Sequence, residues 1–275
     1  MTHITRDMLK SLSIRLPPLV VQCAIADYLD RETARIGALI AAKRRMVELL
    51  HERAVAFVEG AAMQEGWQWV SLNHVIQRIE QGWSPQCDAR VPDDGEWGVL
   101  KVGCVNGGFF KPSEVKALPS EISPRVEYIV NDGDLLMSRA NTRELVGSAA
   151  VVEGARERTL LCDKLYRIRL DESKAQPRFV SLWLQTVAVR SQMELEATGA
   201  SDSMQNIGQD TVRRIVVPLP DIRQQRTFVR RCDDDRSQNS LIIDSIQKQV
   251  SLLQEHRQAL ITAAVTGQVD VPEAA

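Results

Sequence analysis

The stretch GDLLMSRANTRELVG sets Ser138, Arg139, Asn141, Thr142 and Arg143 almost side by side after a short apolar run. These residue types are suited to one kind of chemistry. Arginine and asparagine offer paired donors and acceptors that match the edges of guanine and adenine, while serine, threonine and main-chain amides hold phosphate oxygens. Two other loops carry similar material. QGWSPQ offers Trp83 and Ser84 on a turn, and ATGASDSMQNI offers Ser201, Ser203, Gln205 and Asn206 in a glycine-containing loop. Lys101, Lys111 and Lys164 add local positive charge. Taken singly, each loop also reads as ordinary polar surface; together they are a candidate nucleic-acid-binding set.

Other chemistry is absent. No GxxxxGK[ST] occurs and no GxGxxG opens a helix after a strand, so neither a P-loop nor a dinucleotide site is expected. The four histidines, His3, His51, His74 and His256, are dispersed without metal-ligand spacing. PDDGEWGVLK gathers Asp93, Asp94, Glu96 and Lys101, but the acids share one turn, and a nuclease needs them held apart on adjacent strands. A solvated acidic turn is the expectation. There is no asparagine–proline–proline–aromatic signature of an amino-methyltransferase. The chain is therefore expected to be non-catalytic, with no metal and no cofactor.

Composition sets the frame. The 275 residues are 44% hydrophobic, enough for a core, and the formal charge of −2 means that any DNA-facing surface must be local. The five cysteines lack CxxC spacing and fit buried thiols in a reducing compartment. No apolar run approaches the ~18 residues of a membrane span, and MTHITRDMLK lacks a signal-peptide core. A cytoplasmic location without membrane contact is expected.

The elements that must position the loops are announced by a repeat. Sliding the chain by 203 positions carries Ile4 onto Ile207, Leu16 onto Leu219, Pro17 onto Pro220, Gln22 onto Gln225, Val47 onto Val250 and Leu50 onto Leu253, with no gap. The order is repeat, unique block, repeat. Each copy reads as a long helix entered through prolines. Ile25, Leu29, Ile36, Leu39, Met46, Leu50 and Phe57 in the first, with Ile242, Ile246, Val250, Leu253 and Leu260 in the second, have the spacing of a coiled-coil seam. Lys43 and Asn239 fall at seam positions that a strict heptad would make apolar. Two like helices joined by a compact block can pair antiparallel. Between them, EWGVLKVGCV, DLLMS, VGSAAVV and LLCDKLYRIRL have strand character, whereas SLNHVIQRI and PRFVSLWLQTVAVRSQMELEAT read as helices. In the latter, Phe179, Trp183, Val187 and Leu195 form the expected core stripe.

Read in order, LPPLVVQCAIADYLDRETARIGALI, GDLLMSRAN…VG, ATGAS…NI…VPLP and LLQEHRQALITAAVTGQVDV resemble landmarks of the specificity subunits of type I restriction–modification systems. The resemblance runs from about Ile4 to Val271. It implies an α+β chain in which a globular α/β target-recognition domain is inserted between two long helices that pair as an antiparallel coiled coil. It also implies a non-enzymatic role: reading double-stranded DNA and anchoring methyltransferase (modification) subunits, and through them restriction subunits. The implied division is 1–16 as the residual end of a missing first recognition domain, 17–66 as the first long helix, 67–217 as the recognition domain and 218–275 as the second long helix and tail. One recognition domain can contact one half-site, so a homodimer reading a palindromic target is a further expectation. The competing expectation is an assembly module that binds modification subunits without reading DNA.

Overall fold

The computed structural model describes residues 16–201 and 204–269. The expected remnant of a first recognition domain, except for Leu16, therefore lies outside the described residues. The chain divides into two compact units: His51–Ser237, and the flanking stretches up to Leu50 and from Gln238. Two long helices dominate the termini, α1 (Leu19–Glu65) and α5 (Ile222–Val265). No helix among the described residues is long and apolar enough to cross a membrane.

In the flanking unit, Ile36 and Ile40 are buried and Val47 and Leu50 half-buried on α1. On α5, Asn239 and Ile246 are buried, and Ile243, Val250, Leu253 and Leu260 half-buried. Steps of three and four define both rows, and the 203-position shift carries Ile36, Ile40, Lys43, Val47 and Leu50 onto Asn239, Ile243, Ile246, Val250 and Leu253. Lys43 Nζ donates across to Gln249 Oε1. This corrects the expected seam. Leu39 and Met46, 45% and 51% exposed, and Ile242 face outward, and their neighbours Ile40, Val47 and Ile243 take the inward places. The reason is physical: between shared seam positions both i+3 and i+4 fit a period near 3.5, and Leu39/Ile40, Met46/Val47 and Ile242/Ile243 are apolar at both, so spacing alone does not choose between them. Ile25 and Leu29 are half-buried.

The unit His51–Ser237 contains the ends of both helices as well as the sheets. Phe57, exposed along one side, stacks on Phe228 with centroids 6.1 Å apart, and Arg231 lies 5.5 Å over the Phe57 ring. Arg53 Nη2 donates to Asp235 Oδ1 at 3.0 Å. As the α1 partner rises from 53 to 57 its α5 partner falls from 235 to 228, so the two segments run antiparallel here. Val58, Ala61, Phe228, Val229 and Cys232 belong to the same buried cluster as the sheet residues, which is why the unit is wider than the expected block 67–217.

The strands are β1 (Trp69–Ser71), β2 (Ile76–Gln81), β3 (Gly98–Leu100), β4 (Val115–Ala117), β5 (Leu135–Ser138), β6 (Ala140–Asn141), β7 (Ala149–Val151), β8 (Thr159–Leu160), β9 (Leu165–Leu170), β10 (Thr198–Ser201), β11 (Met204–Asn206) and β12 (Val216–Pro218). Short helices α2 (Pro177–Trp183), α3 (Val187–Glu196) and α4 (Gln209–Arg214) complete the unit. Among the described residues the central sheet has the antiparallel order β2-β9-β5-β7; one face packs against the cluster of Phe179, Trp183 and Phe228, and over β9, β5 and β7 the other packs against Leu100, Val105 and Leu161. The smaller sheets are β4-β3-β8, β10-β11-β6 and the pair β1-β12.

Two expectations are corrected. SLNHVIQRI is not a helix: Leu72–His74 is a single 3-10 turn, and Ile76 onwards is β2, because Ile76 and Ile79 bury while the backbone pairs with β9. The long segment from Pro177 is two helices. Thr186 breaks it; this buried residue turns to an extended backbone, and its hydroxyl donates to the Trp183 carbonyl at 2.7 Å. The break redirects the apolar face, so Val189 and Met193 are buried while Val187 and Leu195 are exposed.

Across the central sheet runs a buried ion network. Arg167 Nε donates to Glu80 Oε2 at 2.6 Å, Nη1 to the Ile129 carbonyl at 2.6 Å and Nη2 to the Glu127 carbonyl at 3.1 Å. Asp134 is paired with both Arg167 and Arg169. Burial works to raise the Glu80 carboxyl, but the hydrogen bond and charge of Arg167, helped by Arg78 and Arg169, hold it below its ordinary value.

Candidate nucleic-acid interface

Main-chain hydrogen bonds gather loops that are far apart in sequence. After β5 the chain passes from Ser138 to Arg139, whose N–H donates to the Lys164 carbonyl at 2.9 Å and whose carbonyl accepts from Ile207 N at 3.0 Å. β6 then pairs with β11, setting Asn141 opposite Gln205 and Ala140 opposite Asn206. The loop of Trp83 and Ser84 joins on the other side: Trp83 N donates to the Leu161 carbonyl at 3.0 Å, and Ser84 Oγ donates to Asp163 Oδ1 at 2.5 Å. Gly82 permits this approach, since a Cβ there would meet the Leu161 carbonyl oxygen at 2.2 Å. A third loop arrives from the 3-10 turn Val102–Val105. Asn141 Nδ2 donates to Asn106 Oδ1 at 3.2 Å, and Thr142 N donates to Asn141 Oδ1 at 2.9 Å.

The predicted residues divide sharply on this frame. Arg139, Asn141 and Trp83 are half-buried on it, and Thr142, Arg143 and Ser84 are exposed. Arg139 Nη1 donates to the Asp163 carbonyl at 3.3 Å, and its buried Nε has no hydrogen-bond partner among the described residues. Arg125, missed in the sequence because it stands apart from the polar loops, lies 4.8 Å over the Trp83 ring. Gln205 is buried. Lys101 and Lys111 are tied to the turn that carries Asn106: Cys104 N donates to the Lys101 carbonyl and Lys111 N to the Cys104 carbonyl. Lys111 and Lys164 are exposed. Lys101 sits 3.9 Å from Glu114, a carboxylate that competes with phosphate for it.

Ser138 is a correction. It is fully buried, its hydroxyl donating to the Leu145 carbonyl at 2.9 Å, so it holds the loop after β5 and is not available to a ligand. Ser201 ends β10 opposite Met204, and Ser203 lies outside the described residues. Asn106 and Asp163 were missed because neither stands in a polar run; only the fold brings them to Asn141, Ser84 and Arg139. A weak signal for Asn106 existed in the NGG that follows Val105, a turn with two adjacent glycines at positive φ.

Among the described residues no group of three His, Cys, Asp or Glu side chains could hold a metal ion. Burial pushes the Cys162 thiol up to about 12 and Cys104 well above its ordinary value, so both stay protonated at neutral pH. The acidic turn is closed on itself: Arg90 binds both Glu96 oxygens, at 2.6 and 2.8 Å. The Arg90 hydrogen bond holds the Glu96 carboxyl down at about 2.

No protein-family model matches the chain. Curated relatives do. The chain is 31% identical to the type I restriction enzyme EcoEI specificity subunit of Escherichia coli over 62% of its own length and 29% of the relative's. It is 25% identical to the EcoKI specificity subunit of Escherichia coli (strain K12) over 87% of its length and 53% of the relative's. The chain is a relative of the type I restriction-enzyme specificity subunits. It spans about half, or less, of the length of these specificity subunits. In fold, it is similar to a chain from a structural study of complex assembly and conformational transition of the type I R-M system. The TM-score is 0.54 at 21% identity, covering 91% of this chain and 60% of the other. The α+β arrangement of helices and several sheets is thus a fold shared with that chain.

Proposed function

We propose that the chain is a non-catalytic DNA-reading subunit of a type I restriction–modification complex, and that its compact unit recognises one half-site of double-stranded DNA. The observation that carries this reading is the polar frame around β6. It brings together Arg139, Asn141, Thr142 and Arg143 with Trp83, Ser84 and Gln205 from loops far apart in sequence, in a relative of specificity subunits. In this reading Arg139 and Asn141 face base edges, Thr142, Ser84 and the lysines face phosphate, and Arg125 on Trp83 forms a cationic platform beside them. The long helices act as an antiparallel coiled-coil spacer and dock methyltransferase subunits, which bring the methyl donor and, indirectly, the restriction subunits.

A chain with one such unit contacts one half-site, so two copies related by a two-fold axis would read an inverted repeat with a gap. Selection of bound sequences from a random duplex pool, with modification subunits present, tests both levels. An enriched interrupted palindrome is expected. An enriched asymmetric motif removes the symmetric dimer, and no enrichment removes DNA reading and leaves an assembly module. For the spacer, Leu50→Asp should lower the melting temperature through a charge placed in a half-buried row; an unchanged melt would show that the helices are not held together there.

A further inference from the structure

Asn141 has both ends of its amide engaged. Its Oδ1 accepts from the Thr142 N–H at 2.9 Å, which fixes which end is oxygen, so the other end must be the NH2 group that donates to Asn106 Oδ1 at 3.2 Å. A primary amide has two donor hydrogens and an oxygen with two acceptor sites. One of each is spent internally, which leaves one donor and one acceptor. That is the complement an adenine edge takes up in its paired contact with asparagine.

Asn106 is itself held. Its N–H caps the preceding 3-10 turn on the Gly103 carbonyl at 3.1 Å, and Lys111 N closes the loop on the Cys104 carbonyl at 2.8 Å. Gly108 (φ 77°) packs against Gln185, where a Cβ would lie 1.8 Å from Oε1, while Gln185 is tied to the Ser181 carbonyl. Phe109 lies under the guanidinium of Arg236, 3.7 Å from the ring centroid. Burial, reinforced by the charge of Arg178, lowers Arg236 to about 10, so it remains a cation at neutral pH.

We infer that Asn106 is a positioning residue for base specificity: on a loop whose main chain is pinned, it holds the NH2 end of Asn141 while the Thr142 N–H holds the oxygen, and so fixes the plane in which one donor and one acceptor are presented side by side to a base pair. The inference rests on the DNA-reading function proposed above and names the pair that sets the letter read at one position. Without Asn106 the amide would lose one of its two anchors: the Thr142 N–H would still hold the oxygen end, but the NH2 end would be free to swing and the plane of the amide would no longer be fixed.

The test is selection from a random duplex pool by the full chain with modification subunits, comparing wild type, Asn141→Ala, Asn106→Ala and Asn106→Asp, with a melt on each variant. Asn141→Ala should flatten the preference at one base position. Asn106→Ala should reduce discrimination at that same position by about tenfold, within the roughly 5- to 150-fold range of a paired base contact, and leave the other positions unchanged. Asn106→Asp keeps the acceptor and should restore the preference, with weaker overall affinity from its charge. If Asn106→Ala loosens the fold, the aspartate variant carries the test alone: recovery of the letter supports the inference, and loss of it overturns it. A profile left unchanged by Asn141→Ala in a selective wild type would show that Asn141 reads no base, overturning the inference while DNA reading stands. A full preference in Asn106→Ala overturns the inference alone, and a wild type without selectivity overturns the functional reading itself.

Discussion

Two arginines within one unit of this protein have opposite surroundings. Arg167, on β9, has a side chain only 5% exposed; Glu80, the Ile129 and Glu127 carbonyls and Asp134 engage its guanidinium. Arg139, just past β5, makes one side-chain hydrogen bond, a long one to the Asp163 carbonyl, and its Nε is buried without a partner among the described residues. The first arginine is complete within the fold. The second is held mainly by its backbone, and its side chain keeps donors for something else. Polar residues that saturate their partners serve stability, and those that leave donors unmatched inside a rigid frame are where a ligand is expected.

Four substitutions test that contrast, the largest effect first. Arg167→Ala removes the most buried partner of two poorly exposed carboxylates, leaving only the more exposed Arg169 and Arg78 beside them, and should cost up to about 3–5 kcal/mol, read by denaturant unfolding; a loss under about 1 kcal/mol would mean the network is not closed in solution. Arg139→Ala should barely move the melting temperature but weaken specific DNA binding by about 1–3 kcal/mol, with a smaller effect on random duplex. Equal loss on both would make it a phosphate contact. Glu80→Gln addresses the pH sign. Because the folded Glu80 carboxyl lies below its ordinary value, its contribution is present above the unfolded carboxylate range and disappears as pH falls. The variant should therefore be destabilised at pH 7, and the gap to wild type should close towards acid. Smallest of all, Arg90→Ala removes the exposed clasp on Glu96 and should leave the melting temperature unchanged within error, since such pairs are screened by solvent. A clear drop would mean that the acidic turn carries more of the fold than its exposure indicates.

The long helices were legible because a repeat at fixed offset and a lasting apolar period survive local noise. At three places the inward residue stands one position from the expected one, Ile40, Val47 and Ile243 in place of Leu39, Met46 and Ile242, because both neighbours are apolar and fit the period equally well. The strands around β5, β7 and β9 were legible from their β-branched runs. The strand β2 was not: Ile76 and Ile79 are three apart, a helical spacing, and only pairing with β9 and the Glu80–Arg167 bridge decides the matter. The site was half legible. Arg139, Asn141 and Thr142 advertise themselves by type, but Ser138, in the same run, proves to be a core hydroxyl. Asn106 and Asp163 become visible only when distant loops meet, which no local pattern encodes.

The bonds that fix the polar frame are mostly main-chain ones: Arg139 N to Lys164, Ile207 N to Arg139, Trp83 N to Leu161 and the β6–β11 ladder. Such bonds do not depend on which side chain stands at a position. The residue at 139 can therefore be exchanged with little change to the frame that presents it, and a lineage could trade one binding preference for another there through a single, viable replacement. The architecture separates the alphabet from the page on which it is written.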